Sequence, residues 1–307
     1  MSKNVLLLGA SGTIGKATAQ ALLADGHRVT CALRDGAQSD GLEACHVQTG
    51  PLDVKPGFDA IVSCIASRTG APKDAWAVDY GVHSAVLKQA VAAGTPQFVL
   101  LSAICVQKPL LDFQKAKLAF EAELQASGLT WSIVRPTAFF KSLSGQFDRV
   151  KAGKPFLVFG SGELTACKPI SDADVGRYLS LCLTNPKLQN QLLPIGGPGP
   201  AITPLEQGRM LFDAVGLEPK FKHVPVAVLS GIIAALAVLG KFIPALKHKA
   251  EFAKIGRYYG TESMLAWDGT AYDPHATPEF GSDTLAAHYA ALARGDLRDD
   301  RGDHAVF

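Results

Sequence analysis

The chain has 307 residues, 48% of them apolar and 19% charged, and a formal net charge of +2. A chain of that length and composition can bury the core of one large α/β domain, alone or with a smaller lobe. Acids and bases are interspersed over most of the length, which argues against an extended electrostatic footprint for nucleic acid.

The N-terminus runs straight into the apolar stretch 4–8 (NVLLL), with neither a signal peptide nor an Arg/Ser-rich transit segment ahead of it, as expected of a cytoplasmic chain. A glycine-rich turn follows at Gly9-Ala-Ser-Gly-Thr-Ile-Gly15, and helical spacing of Ile14, Ala17, Ala21 and Leu22 predicts a helix to Ala24, stopped at Gly26. In such a strand–turn–helix the residues Gly9, Ser11, Gly12, Thr13, Ile14 and Gly15 bring backbone N–H groups and the positive end of the helix to a pyrophosphate. The next strand is 28–33 (RVTCAL). It ends at Arg34, where an NAD enzyme usually carries an acid for the ribose 2′-hydroxyl. A guanidinium there pairs with a 2′-phosphate, so NADPH is the expected cofactor.

Asp53 stands before a presumed turn, either as a partner for the adenine edge or simply as a turn former. The apolar run 60–65 (AIVSCI) reads as a strand, and the 63–67 segment at its end, with Cys64 and Ala66, should line the cofactor cleft. A helix over 81–93 ended by Gly94, a strand over 97–101, a helix over 112–126 closed by Gly128 and a strand over 130–134 complete the alternation. Continuously apolar strands alternating with helices indicate a parallel sheet covered on both faces. The fold class is therefore α/β, a Rossmann doubly wound sheet with a smaller C-terminal substrate lobe. The expected division is 1–160 for the NADPH-binding domain and 161–307 for the lobe, with segments free to cross between them.

The helix over 112–126 carries Phe113, Ala116, Phe120 and Leu124 on one face, and Lys117 lies on that same stripe. Burying an unpaired ammonium is costly, so Lys117 needs a partner or a task, unless its stem packs while its head stays in water. Pro136 and Thr137 follow the last strand and should border the nicotinamide. Phe139 and Phe140 are placed to stack on a flat substrate ring, or to serve as core. The six cysteines (Cys31, Cys45, Cys64, Cys105, Cys167, Cys182) form no CxxC pair and no metal-type group with histidine, so no metal site is assigned.

The most hydrophobic stretch is 224–246 (VPVAVLSGIIAALAVLGKFIPAL), short for a membrane span and cut by Lys241 and Pro244. The favoured expectation is a buried helix that also walls the substrate pocket; the alternative is a helix lying on a membrane surface. The charged, glycine-containing end from Arg294 to His304 reads as a frayed tail.

Taken together, Gly9 to Gly15, Ser102 after the strand 97–101 and Lys117 resemble the short-chain dehydrogenase/reductase superfamily. In that pattern a tyrosine stands four residues before the lysine, and here the position is Phe113. The chain is thus similar to the atypical NmrA-like branch, which implies that the tyrosine-centred proton relay is unavailable and disfavours alcohol–ketone chemistry. Without the tyrosine, the usual duty of Ser102 is open. A longer similarity, over 98–123, 131–143, 254–268 and 277–285, is to the NADPH-dependent 8-vinyl-reductase family of chlorophyll synthesis. It implies reduction of a vinyl group on a chlorophyllide-type tetrapyrrole, with Lys117 fixing the nicotinamide ribose. The proton donor stays open among Lys117 acting through the ribose, Tyr258, Tyr259 and a bound water. Two other functions compete: an NmrA-like reductase of a different conjugated double bond, and a non-catalytic NADP(H)-sensing or assembly protein.

Overall fold

The computed structural model describes residues 1–240 and 244–297. Its centre is a seven-stranded parallel sheet in the order β3-β2-β1-β4-β5-β6-β8. The strands are β1 (Asn4–Leu8), β2 (Arg28–Leu33), β3 (His46–Thr49), β4 (Ala60–Ser63), β5 (Gln97–Leu101), β6 (Thr130–Pro136) and β8 (Gln191–Ile195). Side chains alternate between the two faces with the strand period of two. Val5, Leu7, Val99 and Leu101 go to one core, with Ala19 and Leu22 of α1 (Thr13–Ala24). Leu6, Leu8, Phe98 and Leu100 go to the other, under α2 (His83–Ala92) and α3 (Asp112–Gln125). Both faces being covered explains why β1, β4 and β5 read as unbroken apolar runs.

The chain leaves the sheet after β6 and returns. β7 (Phe156–Phe159) pairs not with the main sheet but with β9 (Phe221–Val224), in parallel. Then α4 (Asp172–Cys182) packs beside α1 on the first face, and β8 adds the seventh strand next to β6. A cut at residue 160 therefore runs across the sheet domain, which draws on the chain as far as Ile195. The smaller lobe is built from β7, β9, α5 (Pro204–Val215) and α8 (Leu285–Arg294) around Phe156, Phe212, Leu285 and Tyr289. Residues 277–285 form a strap back to the sheet. Gly196, just beyond β8, donates to Pro278 O (2.8 Å) and accepts from Phe280 N (2.9 Å). Lys168 pairs with Glu279 at 2.6 Å, and buried Asp174 accepts from the Ser282 and Asp283 backbone N–H groups.

The apolar stretch 224–246 is not one buried helix. It is divided into the end of β9, α6 (Val226–Leu239) and the start of α7 (Pro244–Thr261), with Lys241 outside the described residues. Among the described side chains of α6 only Ile233 is buried, whereas Val228, Ile232 and Leu239 are 50%, 47% and 50% exposed. Apolar composition predicts burial only when another element is available to cover it. Here α6 packs chiefly on α7, and the two form a hairpin whose second helix alone is anchored, through Ile255 and Tyr258. No helix among the described residues is long and apolar enough to cross a membrane. The expected tail from residue 298 onward lies outside the described residues.

Candidate active site

The glycine-rich turn is shaped by two close approaches. Gly9 ends β1 with φ +77°, and a Cβ there would lie 2.8 Å from the Cys64 carbonyl carbon and oxygen. A Cβ on Gly15 would collide with the Gly9 carbonyl oxygen, so α1 starts hard against the strand only because both residues are glycine. Gly12 N donates to Gly9 O (3.1 Å), and α1 begins at Thr13 with no side-chain cap and no acid in its first turn. Its leading N–H groups and positive end are therefore directed at the cleft beyond the sheet, which fits a dinucleotide pyrophosphate. Ser11 is exposed in this turn, and Ile14 packs on the core beneath it.

Arg34 follows β2, is exposed, and makes no ion pair among the described residues. Asp53 is exposed beyond β3, and its carbonyl accepts from Gln48 at 3.5 Å. Cys64 follows β4, its thiol 3.5 Å from Thr18 Oγ1 and pushed up to about 12 by burial, so it is an inert wall of the cleft. Ala66 is exposed beside it. Pro136 closes β6; Thr137 is buried, and its hydroxyl donates to Lys168 O. Phe139 is half-buried against the sheet core, while Phe140 lies in the core of the small lobe with its ring 5.4 Å from that of His288. Of the two rings, Phe139 is the less buried.

The expectation that Lys117 needs a partner is met. Its Nζ lies 2.9 Å from Oδ1 of Asp79, with side-chain exposures of 12% and 0%. Asp79 sits in a π-helical turn, Trp76–Val82, between β4 and α2. Its carboxylate also accepts from Ser67 N (3.2 Å) and Ser67 Oγ (2.5 Å), on the loop after β4. Next in the chain, His83 is buried against Phe120, and burial lowers its pKa to about 4, so at neutral pH it is uncharged. Its Nε2 pairs with Ser63 Oγ at 2.8 Å.

Ser102 is buried and donates to Glu121 at 2.5 Å; Glu121 in turn is ion-paired to Arg135. The serine hydroxyl is thus committed to a buried carboxylate one helical turn beyond Lys117 on α3. Phe113, in the place of the usual tyrosine, is buried with Ile255 and Tyr258 of α7. The two adjacent tyrosines separate cleanly. The Tyr258 hydroxyl faces the carbonyls of Cys105 (2.9 Å) and Lys108 (3.1 Å) and holds α7 to the segment after β5. Among the described residues the Tyr259 hydroxyl has only the Cys105 sulfur, at 4.0 Å. Burial raises the pKa of Cys105, and Gln114, Tyr259 and the Lys117 charge oppose that rise. Burial and the neighbouring Cys105 also hold Tyr259 protonated, well above the ordinary phenol range.

Asp79, Ser67, Cys105, Glu121 and Arg135 were not singled out from sequence. Asp79 had one signal: Ala75, Asp79, His83 and Leu87 form a buried stripe, so an acid stood on an apolar face just as Lys117 did. Among the described residues no group of His, Cys, Asp and Glu is arranged to hold a metal.

Residues 9–186 match a family model described as NAD(P)H-binding. The chain is 44% identical, over 99% of its length and 80% of the relative, to the chloroplastic divinyl chlorophyllide a 8-vinyl-reductase of Cucumis sativus. It is 45% identical to the protein of the same name from Zea mays, over 99% of this chain and 82% of that one. Among solved structures it resembles the leucoanthocyanidin reductase–NADPH binary complex from Vitis vinifera, with TM-score 0.67 and 15% identity over 95% of this chain and 99% of that one. That identity speaks for the fold alone.

Proposed function

The chain belongs to the divinyl chlorophyllide a 8-vinyl-reductase family, and from that premise we infer that it reduces the 8-vinyl group of divinyl chlorophyllide a, or of its protochlorophyllide relative, to ethyl. The cofactor is NADPH, which when bound supplies a hydride and leaves as NADP⁺. The vinyl π bond is lost, and one carbon takes the hydride while the other takes a proton.

The residues of this chain do the rest. The glycine turn and the α1 N-terminus hold the pyrophosphate, and Arg34 takes the 2′-phosphate. Lys117 holds the nicotinamide ribose, and its charge stabilises negative charge developing on the conjugated ring. Phe139 offers a flat apolar face to the pigment. The observation that carries this reading is Lys117 kept at the cleft while Phe113 replaces its tyrosine. The site then orients and polarises without the relay that alcohol–ketone chemistry requires. Anaerobic incubation with NADPH and divinyl chlorophyllide a, followed by pigment chromatography, tests it. Monovinyl product that requires NADPH supports the reading; intact pigment beside a protein that binds NADPH overturns it.

Tyr259 is our choice of proton donor. Its hydroxyl is protonated, uncommitted to the backbone and neighboured by the Cys105 sulfur, whereas Tyr258 is held by two carbonyls. Tyr259→Phe is expected to lower kcat about 10²-fold with NADPH affinity unchanged, the usual scale for a general acid. Tyr258→Phe should lower the melting temperature instead. A Tyr259→Phe enzyme of normal kcat would leave Lys117 acting through the ribose, or a bound water, as the donor.

We also assign the protein to the cytoplasmic face of a membrane, touched by the 224–246 segment. A helix apolar on every side and left uncovered suits a lipid surface. No acid occurs between Glu218 and Glu251, whereas Lys220, Lys222, Lys241, Lys247 and Lys249 do. Each lysine near an anionic surface contributes about 1 kcal/mol. Vesicles containing phosphatidylglycerol should pellet the protein, and Val228→Asp with Ile232→Asp should release it. Equal pelleting of both proteins would remove the assignment.

A further inference from the structure

The buried pair of Lys117 and Asp79 joins three separate pieces of chain. The loop after β4 brings Ser67, the π-helical turn brings the carboxylate, and α3 brings the ammonium. The backbone at Asp79 is pinned as well. His83 Nδ1 lies 3.2 Å from both the Val78 and Asp79 carbonyls, and its other ring nitrogen meets Ser63 at the end of β4. Gly81 lies within the turn, where a Cβ would come within 3.3 Å of Trp76 O. π-helical turns are uncommon and cluster at functional positions.

A buried ion pair is a weak source of stability, because desolvating both ions offsets most of their attraction. What this pair provides is a fixed location for one charge. An ammonium has three N–H donors, and Asp79 is the only hydrogen-bond partner of Lys117 among the described residues, so two donors remain for a ligand. We propose that Asp79 is a positioning residue. Its charge holds the Lys117 ammonium at the cleft so that the two remaining donors meet the hydroxyls of the nicotinamide ribose. This rests on the reading of Lys117 as a ribose ligand, and it requires no particular pigment.

A double-mutant cycle on NADPH affinity, read by cofactor fluorescence without pigment, tests it. Asp79→Asn keeps the size and the acceptor for Ser67 N–H, reverses the Ser67 Oγ bond so that the amide donates it, and removes the charge; it should weaken NADPH about fivefold or more. In the Lys117→Met background the same substitution should change affinity less than about twofold, because the group it positions is gone. A scaffolding role for Asp79 would cost the same in both backgrounds. Ser67→Ala, which loosens the carboxylate without removing it, should show a smaller loss with the same cancellation, and it decides the matter if Asp79→Asn does not fold. NADPH affinity within about twofold of the parent, or equal losses in both backgrounds, overturns the proposal. A failure of vinyl reduction would leave this result untouched.

Discussion

Lys117→Met is expected to fold, to bind NADPH about tenfold more weakly, and to lose about 10²–10³ in kcat. The first loss is that of charge-assisted bonds to the ribose. The second is the scale seen when one preorganised electrostatic donor is removed from a water-poor site, about 3–4 kcal/mol. Methionine replaces the largely buried stem, so its bulk is retained. Asp79 is left buried without its cation, though still held by Ser67, and stability should fall by about 3 kcal/mol, the low end for a broken buried pair. Lys117→Arg supplies the control, since it keeps the charge in a planar, bulkier form. Stopped-flow single turnovers, set beside thermal unfolding, separate the two losses. A folded Lys117→Met enzyme with unchanged turnover would end the catalytic role.

Arg34→Ala is expected to weaken NADPH by about 10–100-fold and NADH by less than about twofold. Hydrogen bonds to an ionised partner contribute about 1.5–3 kcal/mol, and only NADPH carries the 2′-phosphate that would make them. Because Arg34 is exposed, added salt should screen part of the effect, and the gap between the cofactors should narrow as ionic strength rises. Arg34→Glu should reverse the preference by repelling the phosphate while accepting from a 2′-hydroxyl. Equal losses for both cofactors would assign selectivity elsewhere.

Much of the sheet was legible. Strand 97–101 ends where its pattern ends, because a strand covered on both faces is apolar over nearly its whole length; strand 28–33 was legible instead from its alternation of buried Val29, Cys31 and Leu33 with less buried neighbours. β3 was missed, since HVQT is short and half-exposed at the sheet edge and carries almost no apolar signal. The helix placed at 81–93 begins earlier, at Pro72, and passes through the π-helical turn. Reading it from Gly81 left Asp79 outside it, and with Asp79 the partner of Lys117. Lys117 itself announced its need for a partner, because an ammonium on an apolar stripe is costly wherever that stripe is buried. The apolar stretch 224–246 misled for a related reason. Hydropathy measures what a segment avoids, and says nothing of whether the rest of the chain is there to cover it.

The strap over 277–285 also bears on how the molecule is made. Its contacts with Gly196, Lys168, Ser171 and Asp174 finish the end of β8 and satisfy a fully buried carboxylate. All of these partners are translated about a hundred residues before the strap. On the ribosome the cofactor half is therefore spelled out early and waits, with Asp174 lacking its Ser282 and Asp283 backbone donors, until the strap itself has been read. Premature termination anywhere before the strap yields a nascent chain with an unfinished sheet margin, the kind of species that chaperones retain and proteases clear.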